Sequence, residues 1–302
     1  MNTHSAGQRL RDALVVERPL QMAGAINAYC ALLAEHAGFN ALYLSGAGIA
    51  NASYGLPDLG FTTLDNVIED IHRITRATHL PLLVDADTGF NDIATTTERF
   101  IAAGAAGFHI EDQVAQKRCG HRPNKKLVSC NEMCDRIHAA VSARSDPHFV
   151  IMARTDALAV EGMDSALQRI QHYIDAGADM IFPEALTELT QYQQIHNVIN
   201  VPILANITEF GKTPLFTVDE LRSVGVDIAL YPLTAFRAMS AAALEAYTTL
   251  RTSGTQTSLL DKMQTREQLY DHLDYYHYEN QLNEKLAGKL TGELKEELNN
   301  GK

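Results

Sequence analysis

Short apolar runs alternate with amphipathic helical segments along most of the sequence, and this alternation limits the fold more than any other feature. Each run has the length of one buried strand, and most runs end in small or polar residues. Strands that are apolar on both faces are typical of parallel sheets covered by helices. The chain holds about eight such strand–helix units, which predicts one (β/α)₈ barrel domain of the TIM type over residues 1–302.

Helix starts and chain ends refine this prediction. Ser/Thr-x-x-Glu patterns at Thr95, Ser129 and Thr217 predict the first turns of three helices. Residues 1–20 are predicted to be a helical or irregular lead-in. Residues 261–302 are predicted to be a helical extension with a mobile tail, packed on another surface such as a neighbouring subunit. An open doubly wound sheet is the alternative, but its dinucleotide-binding form is disfavoured because no Gly-x-Gly-x-x-Gly follows the first strand.

Charge and cysteine content disfavour several kinds of partner and compartment. The net charge of −12 disfavours nucleic acid as the main partner, although gathered basic side chains could still bind an acidic substrate. The apolar runs are too short to cross a membrane, and the first residues lack the pattern of a secretory signal. Cysteines at positions 30, 119, 130 and 134 suggest no disulfide framework, so we predict a reducing, cytoplasmic compartment.

Polar side chains follow the predicted strands, at the end of the barrel where active sites of this fold lie. Asp85 and Asp87 are two residues apart, so a strand directs both carboxylates to one face. With Glu111 and Asp58 they form an oxygen-rich cluster suited to Mg²⁺ or Mn²⁺, unless they only cap the next helix. Arg154 could clamp a carboxylate, or form a surface ion pair. The remaining strand-end residues are Tyr43, Ser45, Gly46, Glu184, Asn206 and Thr208.

A reactive loop follows the fourth predicted strand, with the sequence Lys-Arg-Cys-Gly-His at positions 117–121. The polar, Gly-containing surroundings of Cys119 argue against a buried structural thiol. A protonated thiol suits a general acid, whereas the neighbouring cations would favour a thiolate nucleophile, and the residues alone leave both roles open. No Lys occupies the strand ends, which disfavours a Schiff-base aldolase. A metal, an arginine and a Ser-Gly turn together suggest a small polycarboxylate ligand.

These motifs together resemble the isocitrate lyase and phosphoenolpyruvate mutase superfamily, from about Gly24 to Tyr278. In one place the sequence departs from the pattern, because Ala47 stands where many relatives carry a further glycine. The motifs that carry the resemblance lie at 44–48 (Leu-Ser-Gly-Ala-Gly), 56–60 (Leu-Pro-Asp-Leu-Gly), 84–87 (Val-Asp-Ala-Asp), 109–113 (His-Ile-Glu-Asp-Gln), 117–121 (Lys-Arg-Cys-Gly-His), 153–156 (Ala-Arg-Thr-Asp), 182–185 (Phe-Pro-Glu-Ala) and 205–211 (Ala-Asn-Ile-Thr-Glu-Phe-Gly).

The resemblance implies a Mg²⁺-dependent carbon–carbon lyase that cleaves 2-methylisocitrate to pyruvate and succinate, in the methylcitrate cycle of propionate catabolism. It also implies a homotetramer with exchanged C-terminal helices. Isocitrate lyase, which gives glyoxylate and succinate, is the nearest alternative. Isocitrate lyases are typically longer than this chain. They also carry a Ser- and Trp-bearing segment where this chain has Thr208-Glu209-Phe210, and this chain contains no Trp. The mutase and hydrolase branches lack the Cys-bearing motif, and a non-catalytic dicarboxylate-binding barrel would leave Cys119 and His121 unexplained.

The resemblance further implies a role for each candidate residue. Asp87 would bind the metal directly, and Asp85, Asp58 and Glu111 would act through water. Cys119 would protonate the departing succinate carbanion. His121 and Glu184 would position the loop and the substrate, and Tyr43 is the candidate base. The implied substrate-binding residues are Ser45, Gly46, Ala47, Gly120, Arg154, Glu184, Asn206, Ile207, Thr208, Arg237 and Arg266.

Overall fold

Eight parallel strands form one sheet in the computed structural model, which describes residues 4–114 and 125–286. The strands are β1 (Leu20–Gly24), β2 (Ala41–Leu44), β3 (Leu82–Asp85), β4 (Gly107–Glu111), β5 (Val150–Thr155), β6 (Met180–Pro183), β7 (Leu204–Asn206) and β8 (Ile228–Tyr231). Neighbours in sequence pair with each other from β1 to β6, and β8 pairs with both β7 and β1. A parallel bridge between Ile181 and Ile203 joins β6 to the residue before β7 and closes the barrel. The predicted (β/α)₈ fold is confirmed.

Helices connect successive strands, as a parallel barrel requires. The described residues also contain a five-residue π-helix, Ile49–Ser53, and a 3₁₀ helix, Thr257–Lys262, and residues 275–286 are helical. The α-helices are α1 (Ala6–Val16), α2 (Ala28–His36), α3 (Gly46–Gly48), α4 (Leu64–Thr75), α5 (Ile93–Ala102), α6 (Cys130–Ala143), α7 (Leu158–Glu161), α8 (Met163–Asp175), α9 (Leu189–His196), α10 (Val218–Ser223), α11 (Thr234–Ser253) and α12 (Arg266–His272).

Side-chain caps fix two of the three predicted helix starts. The hydroxyl of Ser129 accepts a hydrogen bond from the Glu132 amide, and Thr217 forms a full capping box with Glu220. The prediction at Thr95 was wrong, because α5 begins two residues earlier and is capped by Asp92. The Asp92 carboxylate also accepts a hydrogen bond from the Thr95 hydroxyl. Thr95 therefore binds the capping residue and is not itself the cap.

The alternation of side chains along each strand builds two separate cores. Leu42 and Leu44 belong to the layer between strands and helices, whereas Tyr43 points to the barrel interior. Leu10 and Ala13 of α1 pack on this interior cluster, and a Cβ on Gly7 would collide with the backbone of residues 148–149, just before β5. Helix α1 therefore covers the N-terminal ends of the strands. The opposite end is left for the polar strand-end residues.

The chain divides into two compact units, Met1–Ala242 and Ala243–Lys302. All eight strands lie in the first unit. The second unit includes the end of α11, the 3₁₀ helix and α12, and it begins before residue 261, where the C-terminal extension was predicted to start. The predicted mobile tail lies outside the described residues. Among helices in residues 4–114 and 125–286, none combines the length and apolar character needed to span a membrane.

Candidate active site

Side chains from the ends of seven strands, β2 to β8, line one cavity of about 270 Å³ in the first unit. A cavity of about 510 Å³ lies against Asp87, and an apolar one of about 630 Å³ lies beside α2, but neither gathers the strand-end groups. The predicted residues in the 270 Å³ cavity are Tyr43, Ser45, Ala47, Asp58, Asp85, Glu111, Arg154, Glu184, Asn206, Thr208 and Arg237. The lining residues that were not predicted are Asn51, Phe182, Glu209, Phe210, Gly211, Pro232 and Leu233.

Seven predicted residues are not part of the described lining of this cavity. Asp87 lines the 510 Å³ cavity instead, and Gly46 donates its amide to Asp85 without lining either cavity. The other five take other positions or lie outside the described residues. Cys119, Gly120 and His121 belong to the undescribed segment 115–124. The side chain of Ile207 packs in the outer core and its amide donates to the Leu230 carbonyl, 2.8 Å away. Arg266 is the first residue of α12 in the second unit. The substrate-binding roles of Gly120, Ile207 and Arg266 therefore stay predictions.

Gly46 brings the two aspartates of the β3 end together. Its amide donates to Asp85 Oδ2 at 3.1 Å, and the Asp87 amide donates to Asp85 Oδ1 at 3.0 Å. A Cβ at position 46 would lie 3.1 Å from Asp85 Oδ2 and 3.2 Å from Asp87 Oδ1, so both carboxylates reach the same spot. Asp87 adopts a φ of 51°, a left-handed conformation that aspartate tolerates better than most residues. The glycine is thus required here by close approach.

The charges of the lining residues suit a divalent cation. Five carboxylates face two guanidinium groups in this cavity, which leaves an excess of negative charge. Within the described part of the chain, no three acidic, histidine or cysteine side chains are arranged to hold a metal on their own. Mg²⁺ needs few protein ligands, because it retains several water molecules and binds through one or two carboxylates. The carboxylates are Asp58, Asp85, Glu111, Glu184 and Glu209.

Arg154 is held by carboxylates on two of its edges. Its Nε lies 3.3 Å from Glu111 Oε2 and 3.2 Å from Asp156 Oδ2, and its Nη2 lies 3.2 Å from Glu184 Oε2. Its guanidinium also stacks over the Phe182 ring at 5.2 Å. Burial lowers the pKa of Arg154, but the carboxylates, Asp156 foremost, outweigh burial and raise it well above its usual value. Since Nη1 bonds to no described residue, it remains available to a carboxylate in the cavity.

Tyr43 contacts a histidine that was not predicted to take part in the site. Its hydroxyl lies 2.8 Å from Nε2 of His109, and the two rings stack with centroids 5.8 Å apart. The same Nε2 lies 3.6 Å from Asp85 Oδ1. Burial, with Asp85 next, raises the pKa of Tyr43 well above 10.0, so the phenol stays protonated at neutral pH. His109 lies within strand β4, where a buried residue is more readily interpreted as core than as part of a site.

A second polar group lies beyond strands β7 and β8. Asn206 Nδ2 donates to Glu184 Oε2 at 3.4 Å, and Asn206 Oδ1 accepts from no described residue. Arg237 pairs with Glu209 at 3.6 Å and stacks on Phe210 at 5.6 Å. The Arg237 side chain stays 45% exposed, so this pair is loose enough to exchange partners when an anionic ligand enters.

Comparisons with known proteins agree with the fold and with this arrangement. The family model described as phosphoenolpyruvate phosphomutase matches residues 10–251. The chain belongs to this family. The resemblance seen in the sequence motifs is thereby confirmed, and the barrel with its strand-end cavity is the part of the chain that the family model covers.

Similar proteins within this superfamily have several names. A curated 2-methylisocitrate lyase from Escherichia coli (strain K12) is 60% identical over 95% of this chain and 98% of its own length. The crystal structure of a 2,3-dimethylmalate lyase, a PEP mutase/isocitrate lyase superfamily member, matches with a TM-score of 0.84 at 35% identity, over 92% of this chain and 94% of that one. A phosphonopyruvate hydrolase complex with oxalate and Mg²⁺ matches with a TM-score of 0.80 at 28% identity, over 92% and 98%.

Proposed function

We propose that this protein cleaves the carbon–carbon bond of 2-methylisocitrate and releases pyruvate and succinate. The observation that carries the proposal is one cavity that holds carboxylates next to Ser45 and two arginines, Arg154 of β5 and Arg237 of α11. The carboxylates proposed to act on the metal there are Asp58, Asp85 and Glu111. Such a cavity suits a small molecule with several carboxylates and a hydroxyl group. The 60% identity to a 2-methylisocitrate lyase over nearly the whole chain supports this substrate above isocitrate.

The two arginines would bind different ends of the substrate. Nη1 of Arg154 would take the carboxylate of the pyruvate half, beside the hydroxyl of Ser45. The Ser45 oxygen already accepts from the Gly48 amide at 3.3 Å, which leaves its hydrogen to donate. Thr208 and Arg237 would hold the carboxylates of the succinate half. Fixing both halves aligns the bond between them for cleavage.

We also propose Mg²⁺ as the cofactor, with Mn²⁺ as a possible substitute. Asp87 would be the direct ligand, and Asp85, Asp58 and Glu111 would act through water. The excess of carboxylates in the cavity supports this choice, as does the Mg²⁺ bound by the related phosphonopyruvate hydrolase. When bound, the metal would supply Lewis-acid stabilisation of the enolate-like pyruvate fragment.

Two proton transfers complete the reaction. The hydroxyl proton of the substrate must leave, and the succinate carbanion must gain a proton. We assign the second step to Cys119, because a thiol with an ordinary pKa near ~8.5 is mostly protonated at neutral pH. Tyr43 is protonated as well, so it can accept the substrate proton only if its own proton passes to His109, 2.8 Å away.

The proposal includes a cytoplasmic homotetramer that acts in propionate catabolism. Several large apolar side chains of the second unit are exposed in the single chain, which suits burial against another subunit. Exchange of C-terminal helices between subunits is the predicted form of this contact. Light scattering coupled to gel filtration would measure the assembly. The exposed side chains are Leu244, Tyr247, Tyr276, Tyr278 and Leu282.

Product analysis tests the proposed function. The protein is incubated with 2-methylisocitrate and MgCl₂, pyruvate is followed with lactate dehydrogenase and NADH, and succinate is measured by mass spectrometry. We expect the two products in equal amounts. A fully folded preparation that forms neither product would refute the proposal.

A further inference from the structure

Lys125 is a buried cation next to the substrate-facing arginine, and the proposed reaction leaves it without a role. Its side chain is only 2% exposed, and its Nζ lies 2.5 Å from Oδ1 of Asp156, whose side chain is fully buried. The other oxygen of Asp156, Oδ2, accepts from Arg154 Nε at 3.2 Å and from Gln113 Nε2 at 3.3 Å. One carboxylate is therefore shared between two buried cations.

Fold stability gives no reason to keep such a pair. Burying an ion pair often stabilises a protein no more than apolar side chains of the same volume would. Lys125 is the first residue after the segment 115–124, and Asp156 lies directly after strand β5, two residues from Arg154. The two cations outweigh burial and hold the pKa of Asp156 below its usual value, so this carboxylate is charged at neutral pH.

The charge on Lys125 determines how strongly Asp156 attracts Arg154. Asp156 and Glu111 hold the Nε edge of the arginine, and Glu184 holds Nη2, so Nη1 is left for the cavity. If Lys125 lost its charge, the whole attraction of Asp156 would fall on Arg154. The guanidinium would then move toward Asp156 and away from the ligand.

We propose that Lys125 and Asp156 are positioning residues that direct Arg154 Nη1 at the carboxylate of the pyruvate half. The inference rests on the proposed function, since it takes that half as the ligand of Arg154. Neither residue needs to touch the substrate. They act by sharing charge, so that three carboxylates around one arginine hold it without drawing it out of the cavity.

Backbone contacts keep the surroundings of Lys125 in place without its side chain. Gln113 and Leu127 form an antiparallel bridge, and the Val114 amide donates to the Lys126 carbonyl at 3.0 Å. The Val128 amide donates to the Asp112 carbonyl at 2.9 Å. A substitution at position 125 should therefore change the charge near Asp156 and leave these hydrogen bonds intact.

The test compares Lys125→Met, which removes the charge at similar length, with Lys125→Arg, which retains it. Lys126→Met is the matched control, because the neighbouring Lys126 is exposed. Binding of pyruvate and of succinate is measured separately by isothermal titration calorimetry with MgCl₂ present. In Lys125→Met we expect the Kd of pyruvate to rise about 10-fold, a loss typical of removing a residue that orients a ligand-binding group. We expect the Kd of succinate to change less than about 2-fold. Lys125→Arg should restore pyruvate binding, and Lys126→Met should match the wild type.

Two outcomes would overturn the inference: unchanged pyruvate binding in folded Lys125→Met, or an equal loss for pyruvate and succinate. If Lys125→Met does not fold, Lys125→Gln removes the same charge with a polar side chain and keeps Asp156, and unchanged pyruvate binding in it would equally overturn the inference. The proposed function is tested separately, with the wild-type protein. If the wild type forms no pyruvate from 2-methylisocitrate, the proposed function is refuted whatever the Lys125 variants show.

Discussion

Substituting Gly46 by alanine tests whether Asp85 and Asp87 form the metal site. The new Cβ would lie 3.1 Å from Asp85 Oδ2 and 3.2 Å from Asp87 Oδ1, closer than ordinary van der Waals contact. Each carboxylate would have to move by a few tenths of an ångström. Misplacing groups that orient a metal typically costs about 10- to 100-fold in metal affinity or activity. We therefore expect the Mg²⁺ concentration for half-maximal activity to rise by about 10-fold or more.

Stability should change little in the same variant. Gly46 is the first residue of α3, and alanine favours helix over glycine by up to about 1 kcal/mol, which offsets part of the crowding. For a domain of this size, a change of 1 kcal/mol shifts Tm by about 2–4 °C. A large loss of Mg²⁺ affinity with a small change in Tm would place the defect in the site rather than in the fold.

The matched control is Gly48→Ala in the same turn. Its Cβ would meet Ile26 Cγ2 at 3.3 Å and Leu233 Cδ2 at 3.4 Å, which are ends of apolar side chains that can shift. Activity is measured against Mg²⁺ concentration and Tm by scanning fluorimetry for both variants. Gly48→Ala should leave the half-saturating Mg²⁺ concentration unchanged. If Gly46→Ala also left it unchanged, with full kcat, our assignment of the metal site would be refuted.

Three further predictions concern the metal and the proton transfers. Treatment with EDTA should remove activity and added Mg²⁺ should restore it, whereas indifference to chelation would contradict a metal-dependent reaction. Cys119→Ser should nearly abolish cleavage in a turnover assay while calorimetry still detects succinate binding; wild-type turnover would exclude the thiol as the acid. Burial raises the pKa of Tyr43 well above 10.0, so the phenol does not titrate between about pH 6 and 9. Tyr43→Phe should therefore lower kcat and leave the apparent pKa values of the kcat/KM profile in that range unchanged. A shift of either apparent pKa in the variant would show that Tyr43 titrates there.

The sequence predicted the barrel and much of the cavity because both follow from periodic patterns. Strands that are apolar on both faces indicate a parallel sheet, and the residues that end them must then meet at one edge. Asp85, Glu111, Arg154, Glu184 and Asn206 come from five different strands, and all line the same cavity. To predict that these residues lie together, only the fold class and the position of each strand end were needed.

Partners within the site could not be predicted, because they depend on tertiary contacts between distant residues. His109 reads as a buried strand residue, and only the folded barrel places it 2.8 Å from the Tyr43 hydroxyl. Lys125 and Asp156 are 31 positions apart in sequence and nothing in their motifs pairs them. Ile207 lies within a motif of the family, yet its side chain turns to the outer core, because neighbouring residues of a strand face opposite sides.

The most direct test of the proposed function is kcat/KM for 2-methylisocitrate and isocitrate, measured side by side on the same preparation with Mg²⁺. The substrates differ by one methyl group, and the cavity lining includes the apolar side chains Phe182, Pro232 and Leu233. A methyl group in an apolar part of a site is worth about 10- to 200-fold in kcat/KM. We predict a preference of at least about 10-fold for 2-methylisocitrate. Equal values or a preference for isocitrate would contradict the proposed substrate.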